Sequence, residues 1–81
     1  MMRIEEIKAT VRQEVATVCF REVADTDALL DHNILDSVGS VDLAVALEGA
    51  FRISIPFVDI NKQHFANVES IAAYVKLKLG A

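Results

Sequence analysis

The chain has 81 residues, of which 53% are hydrophobic and 25% charged, with a net charge of −4. This length predicts one domain, residues 1–81, and the hydrophobic share excludes a disordered chain. The acidic balance disfavours nucleic acids and anionic membranes as partners, because both attract basic surfaces.

Cellular location is inferred from two features. Cys19 is the single cysteine, so no internal disulfide can form and a reducing compartment fits. Charges interrupt every apolar stretch of the N-terminus, which argues against a signal peptide, and no stretch approaches the ~20 apolar residues of a membrane span. We therefore expect a cytoplasmic monomer.

Residues 3–19 are predicted to form the first helix. Apolar side chains recur there every three or four positions, at Ile4, Ile7, Val11, Val15 and Val18. Such spacing is typical of an amphipathic helix that faces the core. Cys19, at its end, is expected to be a small buried residue rather than a reactive thiol.

Residues 20–36 show no sustained helical period, and loops of this length are often functional. We expect an ordered loop with a short helical turn, held on the core by Leu29, Leu30, Ile34 and Leu35. The run DTDALLD resembles the start of a calcium loop. Leu29 and Leu30 nevertheless stand where that loop needs a ligand and a glycine, so calcium is disfavoured.

Residues 37–51 are predicted to form the second helix, with Asp36 or Ser37 as its N-cap. Residues placed at 100° steps form two apolar stripes instead of one. The inner stripe comprises Leu43, Ala44, Leu47, Ala50 and Phe51. The outer stripe comprises Val38, Val41 and Val45, beside Glu48 and Arg52. The outer valines are either a docking stripe or ordinary surface residues partly covered by the loop.

The remaining residues predict one short and one longer helix. Pro56 ends the second helix region, and residues 58–65 could form one or two helical turns. Asn67 is expected to cap the last helix, and Gly80 lies where a C-terminal cap belongs. The inward stripe of this last helix is predicted to be Val68, Ile71, Ala72, Val75 and Leu79. The fold class is thus all-α: a small bundle of three longer helices and one short one, with a long first loop.

Most familiar catalytic and metal patterns are absent from the sequence. His32 and His64 have no cysteine or histidine at metal spacing. Ser37, His64 and an aspartate match no known triad spacing. Ser37 itself has two interpretations: a helix cap, or a hydroxyl whose phosphodiester would be favoured by the free N–H groups of the helix start.

The run Leu35-Asp36-Ser37-Val38-Gly39 resembles the D-S-[LM] motif of acyl carrier proteins and related peptidyl and D-alanyl carriers. AVALEGAFRISIP (residues 44–56) and FANVES (residues 65–70) resemble the family's second helix and the entry to its last helix. Together with the N-terminal amphipathic helix, the resemblance covers essentially the whole chain.

The resemblance implies a four-helix bundle whose Ser37 carries 4'-phosphopantetheine, attached from coenzyme A by a phosphopantetheinyl transferase that Asp36 helps to engage. A loading ligase or adenylating enzyme and a downstream acyltransferase are the implied partners. The carrier itself would catalyse nothing. The partner-binding residues would be Val38, Val41, Asp42, Val45 and Glu48.

Departures from housekeeping fatty-acid carriers indicate a specialised role. Those carriers usually have an acid directly after the D-S-L triplet, where this chain has Gly39, and acids before and after the phenylalanine of the second helix, where it has Gly49, Ala50 and Arg52. The D-S-x-G pattern is similar to that of D-alanyl and other stand-alone aminoacyl carriers. We expect a specialised acyl or aminoacyl cargo in a lipid, secondary-metabolite or aminoacyl pathway. The alternatives are a housekeeping fatty-acid carrier and, from another class, a helical interaction module without a prosthetic group.

Overall fold

A computed structural model describes residues 2–80. Within them lie α1 (Ile4–Cys19), α2 (Ser37–Phe51), a 3-10 turn (Phe57–Asp59), α3 (Lys62–Phe65) and α4 (Val68–Lys78). Across this part of the chain there is no strand, and the predicted all-α class is confirmed. The 3-10 turn and α3 together span residues 57–65, which begins one residue before the predicted segment 58–65.

Side chains and backbone at the helix ends explain where each helix begins and stops. Asp36 caps α2, and Asn67 caps α4 by accepting a hydrogen bond from the Ser70 N–H at 2.7 Å. At the C-termini, Phe20 and Arg52 adopt left-handed backbone angles, with φ of 58° and 55°. Gly80, with φ of 77°, follows α4 as predicted.

The core lies where α1 packs against both α2 and α4. The predicted faces of α1 and α4 are largely confirmed, with Ile7, Val11 and Val15 fully buried from the first. The full buried hydrophobic set also includes the loop residues Leu29 and Leu35 and the α3 residue Phe65. Leu30 and Ile34 are half-buried against this core, so all four predicted loop anchors contact it.

Two core assignments on α2 and α4 were wrong, and two buried residues of the same helices were not predicted. Ala50 is exposed, because it lies at the edge of the inner stripe of α2. Ser40, which was not predicted to face the core, is buried on the same helix. Leu79 remains 37% exposed, since it follows the last helical residue of α4. Tyr74 is buried instead, with its hydroxyl donating to Asp59 at 2.6 Å.

Backbone hydrogen bonds hold the long loop (residues 20–36) in place. The Leu29 N–H donates to the Ala66 carbonyl at 2.9 Å, and the Glu69 N–H donates to the Asp25 carbonyl at 3.2 Å. The predicted helical turn is a single one, closed by the His32 N–H on the Ala28 carbonyl. The loop therefore runs across the start of α4 and delivers Asp36 and Ser37 to the start of α2.

Candidate functional site

The start of α2 leaves the Ser37 hydroxyl exposed. Asp36, rather than Ser37, supplies the side-chain cap: its Oδ1 accepts from the Gly39 N–H at 2.6 Å. The Ser40 hydroxyl donates to the Asp36 carbonyl at 2.8 Å and is buried. No hydrogen bond involves the Ser37 hydroxyl within residues 2–80 and the residue is exposed, so of the two serines in this turn Ser37 is the one that a reacting partner can reach.

Gly39 fits closely beneath the Asp36 cap. A Cβ atom at this position would lie 3.1 Å from Asp36 Oδ1 and 3.3 Å from Leu35 Cδ2. Contacts this short require the cap or the leucine to shift. Glycine therefore allows the capping carboxylate and the buried loop anchor to approach the first turn of α2 together.

The outer stripe predicted on α2 is exposed. Val38 is 69%, Val41 38% and Val45 61% exposed, and they follow Ser37 along the helix. Asp42 lies exposed on the same helix. The half-buried Glu48 is engaged within the chain, because its Oε2 accepts from the Ile55 N–H at 2.8 Å.

Sequence periodicity missed the second apolar surface near Ser37. Phe57 and Val58, in the 3-10 turn, are each 77% exposed. Three residues are too short for a helical period, so the available signal was only their position after Pro56. Phe57 joins Val41 and Ser37 in lining one groove, so exposed apolar side chains from two elements border the groove of the serine.

The groove beside Ser37 has a volume of about 410 Å³. Leu35, Ser40 and Phe65 contribute buried side chains to it, and Leu30 and Ile60 contribute half-buried ones. Its rim is polar at Asn33, Asp36, Asn61 and Lys62. The volume lies within the ~300–1,000 Å³ of small-molecule sites, and the mixture of apolar floor and polar rim suits a ligand of the same mixed character.

The acidic loop residues are occupied by partners within the chain. Asp25 Oδ1 accepts from Arg12 Nε at 2.7 Å, and the same contact lowers the pKa of the Asp25 carboxyl. Asp27 accepts from the Ala24 N–H, and Asp31 pairs with Lys62 at 2.9 Å. Among residues 2–80 there is no cluster of three side chains suited to a metal ion.

The two histidines and the cysteine lie apart from Ser37's groove. The His64 ring packs against Tyr74, with ring centroids 4.6 Å apart, and His32 is exposed in the loop. Cys19 is half-buried rather than buried. Burial raises the pKa of its thiol, which keeps it protonated and weakly nucleophilic at neutral pH.

Comparison with known proteins gives a family and close relatives. Residues 9–75 match the family described as "Phosphopantetheine attachment site". The D-alanyl carrier protein of Lactococcus lactis subsp. lactis is 38% identical over 74 residues, which cover 91% of this chain and 92% of that protein. That of Lactococcus lactis subsp. cremoris (strain MG1363) is 42% identical over 59 residues, 73% of each chain. That of Streptococcus pyogenes serotype M5 is 32% identical over 75 residues, 93% of this chain and 94% of the other.

None of the helices described here is long and apolar enough to span a membrane.

Proposed function

Because the chain belongs to the family of phosphopantetheine-binding carrier proteins, we propose that Ser37 is its attachment residue. One observation carries the assignment: the Ser37 hydroxyl is exposed on the first turn of α2, while Asp36 makes the cap and Ser40 is buried. A cap serine would use its hydroxyl internally, and Ser37 does not.

The residues around Ser37 fit the phosphopantetheine group. A phosphodiester there lies at the positive end of the α2 dipole, where the first N–H groups lack intrahelical partners. The groove beside it offers apolar side chains at Val41 and Phe57 and the side-chain amide of Asn33, whereas the Asn61 amide is engaged with Val58 and His64. These match the methyl, hydroxyl and amide groups of the pantetheine chain.

The prosthetic group supplies a terminal thiol that holds the cargo as a thioester. The protein residues have three tasks. Asp36 fixes the first turn of α2 and presents Ser37 to the transferase. The exposed valines and Asp42 form the surface that partner enzymes contact. Glu48 joins this surface only through the part of its side chain that remains exposed beside its hydrogen bond to Ile55. The bundle keeps these groups in a constant geometry as the carrier moves between enzymes.

The cargo that we propose is an aminoacyl group, with D-alanine as the first candidate. The relatives that match over most of the chain are named D-alanyl carrier proteins. The reduced acidity of α2 supports the same choice over a housekeeping fatty-acid carrier: beyond Asp36 it retains only Asp42 and Glu48, and Glu48 is hydrogen-bonded to Ile55.

The partners follow from this role. A phosphopantetheinyl transferase modifies Ser37, an adenylating ligase loads the amino acid, and an acyltransferase removes it. The carrier contributes no catalytic group of its own, works in the cytoplasm and acts as a monomer. The net charge of −4 favours partners with basic docking surfaces.

The attachment site is tested by intact mass after incubation with a broad-specificity transferase, coenzyme A and magnesium. We expect the mass to rise by one phosphopantetheine group, and Ser37→Ala to abolish the gain. Ser40→Ala is the matched control, because it removes a hydroxyl from the same turn and should still be modified. A folded wild-type protein that gains no mass would refute the carrier function, and modified Ser37→Ala would refute the site.

The cargo is tested on the modified protein. A D-alanine-activating ligase with ATP should add one alanyl group that hydroxylamine removes, as expected for a thioester. The parallel reaction offers a fatty acid, ATP and a ligase that loads fatty acids onto acyl carrier proteins. Loading by the fatty acid alone would overturn the aminoacyl assignment and leave Ser37 as the attachment site unaffected.

A further inference from the structure

The groove beside Ser37 contains one cation and one anion. Among the described residues that line it, Lys62 is the only basic side chain and Asp36 the only acidic one. A phosphodiester on Ser37 would add a second negative charge directly beside Asp36. In a chain of net charge −4, this charge gains most from the one ammonium group that borders the same groove.

Lys62 borders two cavities. The second, of about 70 Å³, lies on the loop side and is lined by Asp31 as well as by Lys62 and Leu30. In the structure the lysine Nζ is 2.9 Å from Asp31 Oδ1. A change of the Lys62 side-chain rotamer from Asp31 towards Ser37 would move Nζ from the smaller cavity to the groove. Lys62 lines both of them already.

We propose that Lys62 exchanges Asp31 for the phosphodiester on Ser37, and that the first part of the phosphopantetheine chain then lies in the groove. This rests on the proposed attachment at Ser37. The side chains of the Lys62–Asp31 pair are 72% and 56% exposed. Exposed pairs of this kind contribute little to stability, so Asp31 holds the lysine weakly. The phosphodiester offers the lysine a second charge-assisted acceptor, and moving there places the ammonium group near two negative charges, the phosphodiester and Asp36, instead of the single charge of Asp31.

The apolar wall of the groove positions the carbon chain that follows the phosphate. A methylene group joins the phosphate to a carbon bearing geminal methyl groups, and Phe57, Val41 and Ile60 offer exposed or half-buried carbon surface. Burying these methyl groups against Phe57 removes apolar surface from water on both sides. Attachment of the prosthetic group thus frees Asp31 and covers Phe57, which gives partner enzymes two differences between the unmodified and modified carrier.

The test compares unmodified and modified full-length protein by NMR. In the modified protein we expect nuclear Overhauser contacts from the geminal methyl protons to Phe57 and Ile60, and a shift of the Lys62 side-chain ammonium resonance on modification. Lys62→Gln should abolish these methyl contacts, and Lys62→Arg should retain them. Asp31→Asn frees the lysine and should strengthen them.

The matched control is Lys76→Gln, on α4, which lines neither cavity and should leave the contacts unchanged. Raising the salt concentration should weaken the contacts, because screening reduces the exposed lysine–phosphate attraction. The proposal is overturned if the modified protein shows no methyl contacts, or if Lys62→Gln leaves them intact. Either result comes from protein already shown by mass to carry the group, so it leaves the attachment at Ser37 standing.

Discussion

Phe20 combines two unfavourable features at the end of α1. Its φ is 58°, and its side chain is 94% exposed. The left-handed conformation costs an ordinary residue roughly 1–2 kcal/mol, whereas glycine adopts it without that cost. Because the ring makes almost no buried contact, a substitution at this position changes the conformational free energy of the backbone and little else.

We predict that Phe20→Gly stabilises the protein by about 0.5–1 kcal/mol. Glycine removes the roughly 1–2 kcal/mol cost of the left-handed conformation. It also destabilises the folded state by ~0.5–1 kcal/mol, because its unfolded chain has more conformational entropy, and the first effect is the larger. Urea unfolding at constant slope measures the change. Phe20→Ala is the control, since it removes the exposed ring without relieving the backbone, and a gain equal to that of glycine would contradict the argument.

Residue identity predicted the start of α2 only in part. Sequence spacing left Asp36 and Ser37 as equal candidates for the cap, because both residue types favour that position. The 2.6 Å contact from Gly39 to Asp36 separates them. The cap is the residue with extended backbone angles, here Asp36. Those angles depend on how the loop packs in three dimensions, so a sequence pattern could not distinguish the two candidates.

At the scale of elements, helical periodicity predicted α1, α2 and α4 to within a residue at each described boundary. It failed where packing breaks the period. Tyr74 lies outside the predicted stripe of α4 and is buried where α3 packs against that helix, with the His64 ring beside its ring and its hydroxyl donating a hydrogen bond to Asp59. Contacts between elements far apart in sequence leave no local signal.

The Tyr74–Asp59 contact predicts a loss of stability at high pH. Burial, followed by the hydrogen bond to Asp59, raises the pKa of Tyr74 to about 12. The folded state therefore keeps this proton more tightly than the unfolded state, whose tyrosine titrates near 10. Its contribution is complete below about pH 10 and is lost as the pH rises towards 12.

Thermal unfolding between pH 9 and 12 (roughly the span of the tyrosine titration) should show this loss as a difference between the wild type and Tyr74→Phe. The phenylalanine variant starts less stable, because Asp59 loses its donor, and the two curves should converge as the pH rises. Lysine titration affects both proteins equally and cancels in the difference. Parallel curves across this range would show that the tyrosine proton contributes nothing.

For the whole molecule, four exposed apolar residues lie on α2 or line the groove beside Ser37, while Phe20, Val58, Leu77 and Leu79 are exposed without lining it. Val38, Val41 and Val45 lie along α2, and Val41 lines the groove together with Phe57. The valines were identified from the sequence because they break the single-stripe rule of a surface helix. Phe57 and the groove depend on how the loop, α2 and α3 meet, and only the three-dimensional structure brings them together.

This arrangement predicts that the valines serve binding and not folding. Val38→Ser combined with Val45→Ser should leave the unfolding midpoint nearly unchanged, since both side chains are more than half exposed. The same variant should raise the KM of the transferase or ligase by about tenfold, which corresponds to ~1.4 kcal/mol and requires only partial burial of the two valines in the complex. Leu77→Ser, at a side chain 73% exposed on α4, is the control and should leave KM unchanged. An equal rise in KM for the control, or a lowered midpoint for the valine variant, would assign the valines no specific part in docking.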